Sequence, residues 1–120
     1  MTPSSFIEGV ARFASELRAH PVDDPDGAYT DTLRMLDRDA GDYLVNQWRC
    51  ESCPDGATEA RAVEVLTERI FNLVHYANAA GVEDVIIGGL VMLCVEAVAE
   101  DVIVDRHHAA FFEGCHPARN

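Results

Sequence analysis

From Val85 to Val95 the chain runs eleven residues that are all apolar or glycine. A membrane-spanning helix needs about 20 such residues, so this run is too short to be one. A helix that is apolar on every side is surrounded by protein. The run therefore predicts a buried helix, beginning around Glu83-Asp84, continuing through Ile86, Ile87, Leu90, Val91, Leu93, Cys94 and Val98, and reaching toward Asp105. Its acidic start suits a helix N-terminus. Gly88-Gly89 would let a neighbouring backbone approach closely. Val102-Ile-Val104 is short and β-branched, and a strand is the competing reading there.

Such a helix demands others to cover it, and the sequence supplies three. Phe6, Val10, Phe13 and Leu17 recur every three or four residues, widened by Ile7 and Ala14, over about Ser4 to Ala19. That spacing puts them on one helical face. Ser4 or Ser5 is the expected cap, Glu8 lies favourably in the first turns, and Pro21 stands past the end. A second stripe, Tyr29, Leu33, Leu36, Ala40, Tyr43, Leu44 and Trp48, predicts a helix from Ala28 or Tyr29 to Trp48. Gly41 weakens it by about 1 kcal/mol relative to alanine, which allows a bend. A third stripe, Val63, Leu66, Ile70, Leu73, Val74 and Ala77, predicts a helix from Ala57 or Thr58, with Thr58 as candidate cap, to Gly81 as C-terminal cap.

Turn-forming clusters separate these segments: Pro21-Val-Asp-Asp-Pro-Asp-Gly27, Arg49-Cys-Glu-Ser-Cys-Pro-Asp-Gly56, and the residues around Gly81. At 120 residues and 48% hydrophobic, the chain has material for one core. The reading is an all-α fold, a compact bundle of about four helices with a central apolar fourth helix, in one domain over residues 1–120. Short connections favour up-down topology. Phe111 and Phe112 are expected to dock on the body, and residues 115–120 to fray.

Charge is the second strong feature. Twenty-one acidic residues face nine basic ones, all arginine, for a formal net charge of −12. The acids are spread along the chain. This field repels phosphate backbones, which disfavours direct nucleic-acid binding, and attracts basic surfaces. The bland account is that acidity only maintains solubility or suits a salty cytoplasm. No basic n-region precedes an apolar stretch at the start, so no secretory signal is visible and a cytoplasmic protein is expected. Thiols stay reduced in that compartment, and the four cysteines give no reason to draw disulfides.

Three constellations could carry chemistry. Cys50-Glu-Ser-Cys53 has the spacing of a redox pair or of half a zinc site. Helical peroxidase-related proteins of the alkylhydroperoxidase type carry such a pair, with a nearby histidine and an upstream glutamate; here the slot near Ala57 has no histidine and no glutamate precedes at matching distance. Zinc would need two more ligands, and Cys115 and His116, being adjacent, offer awkward geometry. Glu64 with Glu68 and Glu96 with Glu100 are each spaced i, i+4, so each pair shares a helix face. Asp101 and Asp105 follow the second pair. Facing carboxylates hold divalent ions in helical bundles, and magnesium or manganese is the cofactor this alternative implies. The device is that of all-α nucleotide pyrophosphohydrolases, whose adjacent glutamate pair and Glu-x-x-Asp step this chain lacks. His107, His108 and His75 have no partner motif. A nucleophile elbow and a phosphate loop are both missing.

The leading expectation is a non-enzymatic acidic interaction protein. Its partner would be a basic, nucleic-acid-handling protein met through Asp31, Asp37, Asp39 and Asp42. Small acidic inhibitors from phages and mobile elements, anti-CRISPR proteins and other DNA mimics among them, work by this logic; the likeness is one of size and charge. The alternatives are a metal-dependent hydrolase using Glu64, Glu68, Glu96 and Glu100, and thiol redox through Cys50 and Cys53. No resident cofactor is expected under the leading reading. Monomer and homodimer stand level.

Overall fold

Thr2, rather than a serine, opens the first helix. In the computed structural model, which describes residues 1–49 and 56–103, the Thr2 hydroxyl accepts from the Ser5 backbone N–H at 3.1 Å. Pro3 then takes the first helical position, where a missing N–H is no loss. The helix α1 runs Pro3–Arg18 and buries Phe6, Ile7, Val10, Ala14 and Leu17.

The linker turns at Gly27, whose φ of 73° is left-handed. The second helix, α2, runs Ala28–Arg49 and continues through Gly41. Asp24 reaches forward to its first turn. Its carboxylate accepts from the N–H groups of Tyr29 and Thr30 and from the Thr30 hydroxyl, the last at 2.7 Å. α2 buries Tyr29, Leu33, Leu36, Ala40 and Tyr43, the inward stripe of its sequence.

The third helix, α3, spans Gly56–Ala80, so Thr58 lies within its first turn and not at its cap. Its end matches the sequence reading. Gly81 adopts φ 84° and its N–H bonds the Asn78 carbonyl, while the Val82 N–H bonds that of Ala77 at 3.0 Å. This pair of bonds satisfies carbonyls that the helix end would leave open.

The fourth helix, α4, spans Asp84–Ala99. It stops well short of Asp105 because Asp101 takes φ 63°, a left-handed conformation that interrupts helical hydrogen bonding. Val102 and Ile103 beyond it are helical, not extended; Val104 lies outside the described residues.

Contacts along the bundle set the topology as up-down-up-down. The Met1 ammonium pairs with Glu100, and Ser4 meets both Gln47 and Glu59, all at one end. At the other end the Asp23 N–H bonds the Ala80 carbonyl at 3.2 Å. α1 and α3 pack on each other and on both remaining helices, forming the short diagonal of the bundle. α2 and α4 occupy opposite flanks.

The expectation of a central α4 is therefore corrected. α4 buries Ile87, Leu90 and Ala97 against α1 and α3, but Val85, Val91, Met92, Val95 and Val98 are exposed. The physical reason is stoichiometric. α1 packs on α2, α3 and α4, and once that diagonal is filled none of the described residues covers α4's outer side. The seam between α1 and α4 is close. The Phe13 ring lies over Gly89 and the Leu93 side chain over Gly9, each side chain filling the space a missing Cβ leaves.

Candidate functional site

The acids predicted as one docking face do not stand together on α2. Asp31 and Asp42 point outward among Arg34 and Arg38, and Arg34 pairs with Asp31 at 3.4 Å. Asp37 and Asp39 leave the helix on opposite flanks. Asp37 pairs with Arg18 of α1. Asp39 accepts from Arg69 of α3 at 3.0 Å and from Arg38 at 3.2 Å. Two of the four aspartates thus tie α2 to its neighbours, with their charge matched inside the protein.

Unmatched charge gathers elsewhere. The α1–α2 linker carries Asp23, Asp24 and Asp26, and the α3–α4 turn carries Glu83 and Asp84. The Asp23–Ala80 backbone bond brings these two connections to one end of the bundle. No arginine lies between Arg18 and Arg34 or between Arg69 and Arg106. Asp23, Asp26, Glu83 and Asp84 are exposed, and Asp24 is half-buried. The Thr30 hydroxyl, then the Thr30 N–H, hold the Asp24 carboxyl below its ordinary 3.8, so it is ionised well into acid. Asp24 and Asp84 also face helix N-termini, which favours their charged forms. The sequence signal for this end was present in the linker, but it reads first as turn chemistry.

The glutamates of the metal alternative are dispersed. Glu64 sits beside Arg61 at 3.6 Å, and Glu100 beside the Met1 ammonium. Glu96 borders an open groove of about 300 Å³ between α1 and α4, along with Arg12 and Glu16. Glu68 is exposed on α3. Among the described residues, no three of His, Cys, Asp and Glu come together to hold a metal ion. Cys50 and Cys53 lie outside the described residues, as do Asp105, His107, His108, Phe111, Phe112, Cys115 and His116. His75 is exposed, its ring edge-on to Tyr76 at 5.2 Å.

Two features escaped the sequence reading. One is a polar knot at the other end of the bundle, where Glu59 accepts from Ser4 and from the Tyr43 hydroxyl at 3.1 Å, and Gln47 donates to Ser4. Its members come from three helices, so no local pattern announces it. The other is an apolar groove of about 250 Å³ between α3 and α4, bordered by Phe71, Val74, Val91, Cys94, Val98 and Ile103. Burial there pushes the Cys94 thiol up to about 11.

Among the described residues, no helix is long and apolar enough to cross a membrane. No protein-family model, no curated protein and no solved structure matches the chain.

Proposed function

We propose that this protein is a non-enzymatic acidic interaction protein that docks on a basic protein surface, acting as an inhibitor or decoy of a nucleic-acid-handling partner. The observation that carries the reading is the end of the bundle where Asp23, Asp24, Asp26, Glu83 and Asp84 converge, with Arg18 of α1 already paired to Asp37. The linker is held by the Asp23–Ala80 bond and by the Asp24 cap, so the carboxylates are presented from a fixed backbone. A groove shaped for phosphates meets there an array of the same sign. Nucleic-acid mimicry of the anti-CRISPR kind is the form that size and charge suggest. Asp31, in the first turn of α2, flanks this surface, while Asp42 lies toward the opposite end and Asp37 and Asp39 serve the fold.

The hydrolase alternative lacks a carboxylate cluster among the described residues, and the thiol alternative rests on Cys50 and Cys53, outside them. The test is affinity capture from the native host at low salt, with salt elution and mass spectrometry. A variant carrying Asp23→Asn, Asp26→Asn, Glu83→Gln and Asp84→Asn is run in parallel. The expected result is a basic protein released steeply as salt rises and not retained by the variant. Capture that is indifferent to salt, or that the neutralised variant retains, overturns the reading.

A further inference from the structure

Among the described residues, the outer side of α4 is apolar and exposed. Val91, Val95 and Val98 recur at helical spacing beside the α3–α4 groove, all exposed, and Val85 in the first turn is 77% exposed. Across the α3–α4 groove stands Phe71, 73% exposed. Monomeric proteins scatter single apolar residues over their surface, but contiguous patches of this kind mark interaction sites.

We infer that this α3–α4 face is the interface between two copies of the chain. Three observations select that occupant. The first is charge. Of the thirty charged residues, nine basic and twenty-one acidic, only Glu83 and Asp84 fall between Ile70 and Val95. A second copy brings the same net −12, so on any acidic face carboxylates would meet carboxylates. Here two mainly apolar surfaces meet, with Glu83 and Asp84 at one end and Glu96 on the α1 side. A basic partner, in contrast, finds little to grip on this face.

The second is area. α4 has 16 residues, which makes it about 24 Å long, and a helix is about 10 Å across. The two-helix face is therefore roughly 24 by 20 Å in projection. A specific interface removes about 800 Å² from each partner, of which this face, about 480 Å² in projection, supplies more than half before its rim is counted. The third is shape. A two-fold interface must be self-complementary, with projection and recess on one surface. Phe71 projects at the edge of the 250 Å³ groove whose apolar walls are Val74, Val91 and Val98. The same surface thus holds both the knob and the space for one.

This dimer is independent of the acidic end, and salt separates the two. Raising salt from about 0.1 M to about 1 M shortens the Debye length from about 10 Å to about 3 Å. That weakens attraction between opposite charges, but it relieves the repulsion between two acidic copies. The experiment is sedimentation equilibrium on the full chain at both salts, with Val95→Asp, Phe71→Asp and Val85→Asp. All three positions are exposed, and Val85 lies in the first turn of α4, where an aspartate favours the helix. Val45→Asp, an exposed position on α2, adds the same charge away from the face. Circular dichroism confirms that each variant is folded.

The expected result is a dimer that tightens with salt, weakened at least about 30-fold by each of the three α3–α4 variants, since the two-fold buries two carboxylates. Val45→Asp leaves it nearly unchanged. A wild-type chain that is monomeric at both salts overturns the inference and leaves the face to residues 104–120 or to another protein. A dimer indifferent to the three variants, or one broken equally by Val45→Asp, overturns it as well.

Discussion

Gly88 and Gly89 are adjacent in one helix, yet replacing each with alanine should change stability in opposite directions. Alanine in a helix interior is favoured over glycine by about 1 kcal/mol, and that gain is common to both sites. At Gly88 a new Cβ meets nothing within 4 Å, so Gly88→Ala should stabilise by about 0.5–1 kcal/mol. At Gly89 the new Cβ would sit 2.6 Å from Cζ and 2.7 Å from Cε2 of Phe13. Carbon atoms pack at about 3.5–4.0 Å, so the ring must retreat by roughly 1 Å. Overpacking of that order costs about 1–3 kcal/mol. Phe13 is only partly buried and its ring tip has some freedom, which places the cost toward the lower half of that range. The two variants should therefore differ by about 1–2 kcal/mol, or several degrees in Tm. Urea denaturation followed by far-UV circular dichroism measures this, in dilute protein so that Gly88's place on the outward face of α4 brings in no association. In a Phe13→Ala background the penalty should vanish, and Gly89→Ala should then stabilise as Gly88→Ala does. If Gly89→Ala stabilises wild-type protein as much as Gly88→Ala, the close seam between α1 and α4 is wrong.

Asp39→Ala removes the carboxylate that joins α2 to Arg69 of α3, and the expected loss is about 1–2 kcal/mol. Asp42→Ala, on the exposed face, should stay within about 0.5 kcal/mol; equal denaturation midpoints for the two would remove the clamp. Cys94, raised by burial from an ordinary 9.0 to about 11, should alkylate about 100-fold more slowly at neutral pH than a free thiol, read in a variant with Cys50, Cys53 and Cys115 changed to serine. Because the folded state holds that proton longer, stability is complete below about pH 9 and falls as pH rises toward 11. Tyr29, raised by burial and by Asp24, acts with the same sign, so Cys94→Ala should flatten the alkaline decline without abolishing it.

Helix number and the inward stripes were legible because apolar spacing is a local property. Phe6, Val10 and Leu17, or Val63, Leu66 and Ile70, face inward whatever the neighbours are. The first cap is Thr2 and not Ser4 or Ser5, because Pro3 suits the first helical position and sets the start earlier. Val85 to Val95 carries almost no directional information. Apolar on all sides, it cannot say which side is packed, and the assumption that every side is covered by the same chain put α4 at the centre. The pairings of the α2 aspartates were not legible for a related reason. The partners of Asp37 and Asp39 are 19 and 30 residues away, and no period of α2 distinguishes a carboxylate that meets Arg69 from one that meets water. The acidic end could be seen only after the Asp23–Ala80 bond brought two turns together.

The diagonal arrangement of α1 and α3 has a consequence for how changes combine. α2 and α4 stand on opposite flanks and touch only marginally among the described residues. Free-energy changes at sites without common partners add to within about 0.5 kcal/mol. A substitution at Asp39 and one at Val95 should therefore sum, while Phe13 and Gly89 should not. Each flank can accumulate sequence change without regard to the other, and the α1–α3 diagonal is where one lineage of substitutions constrains the next.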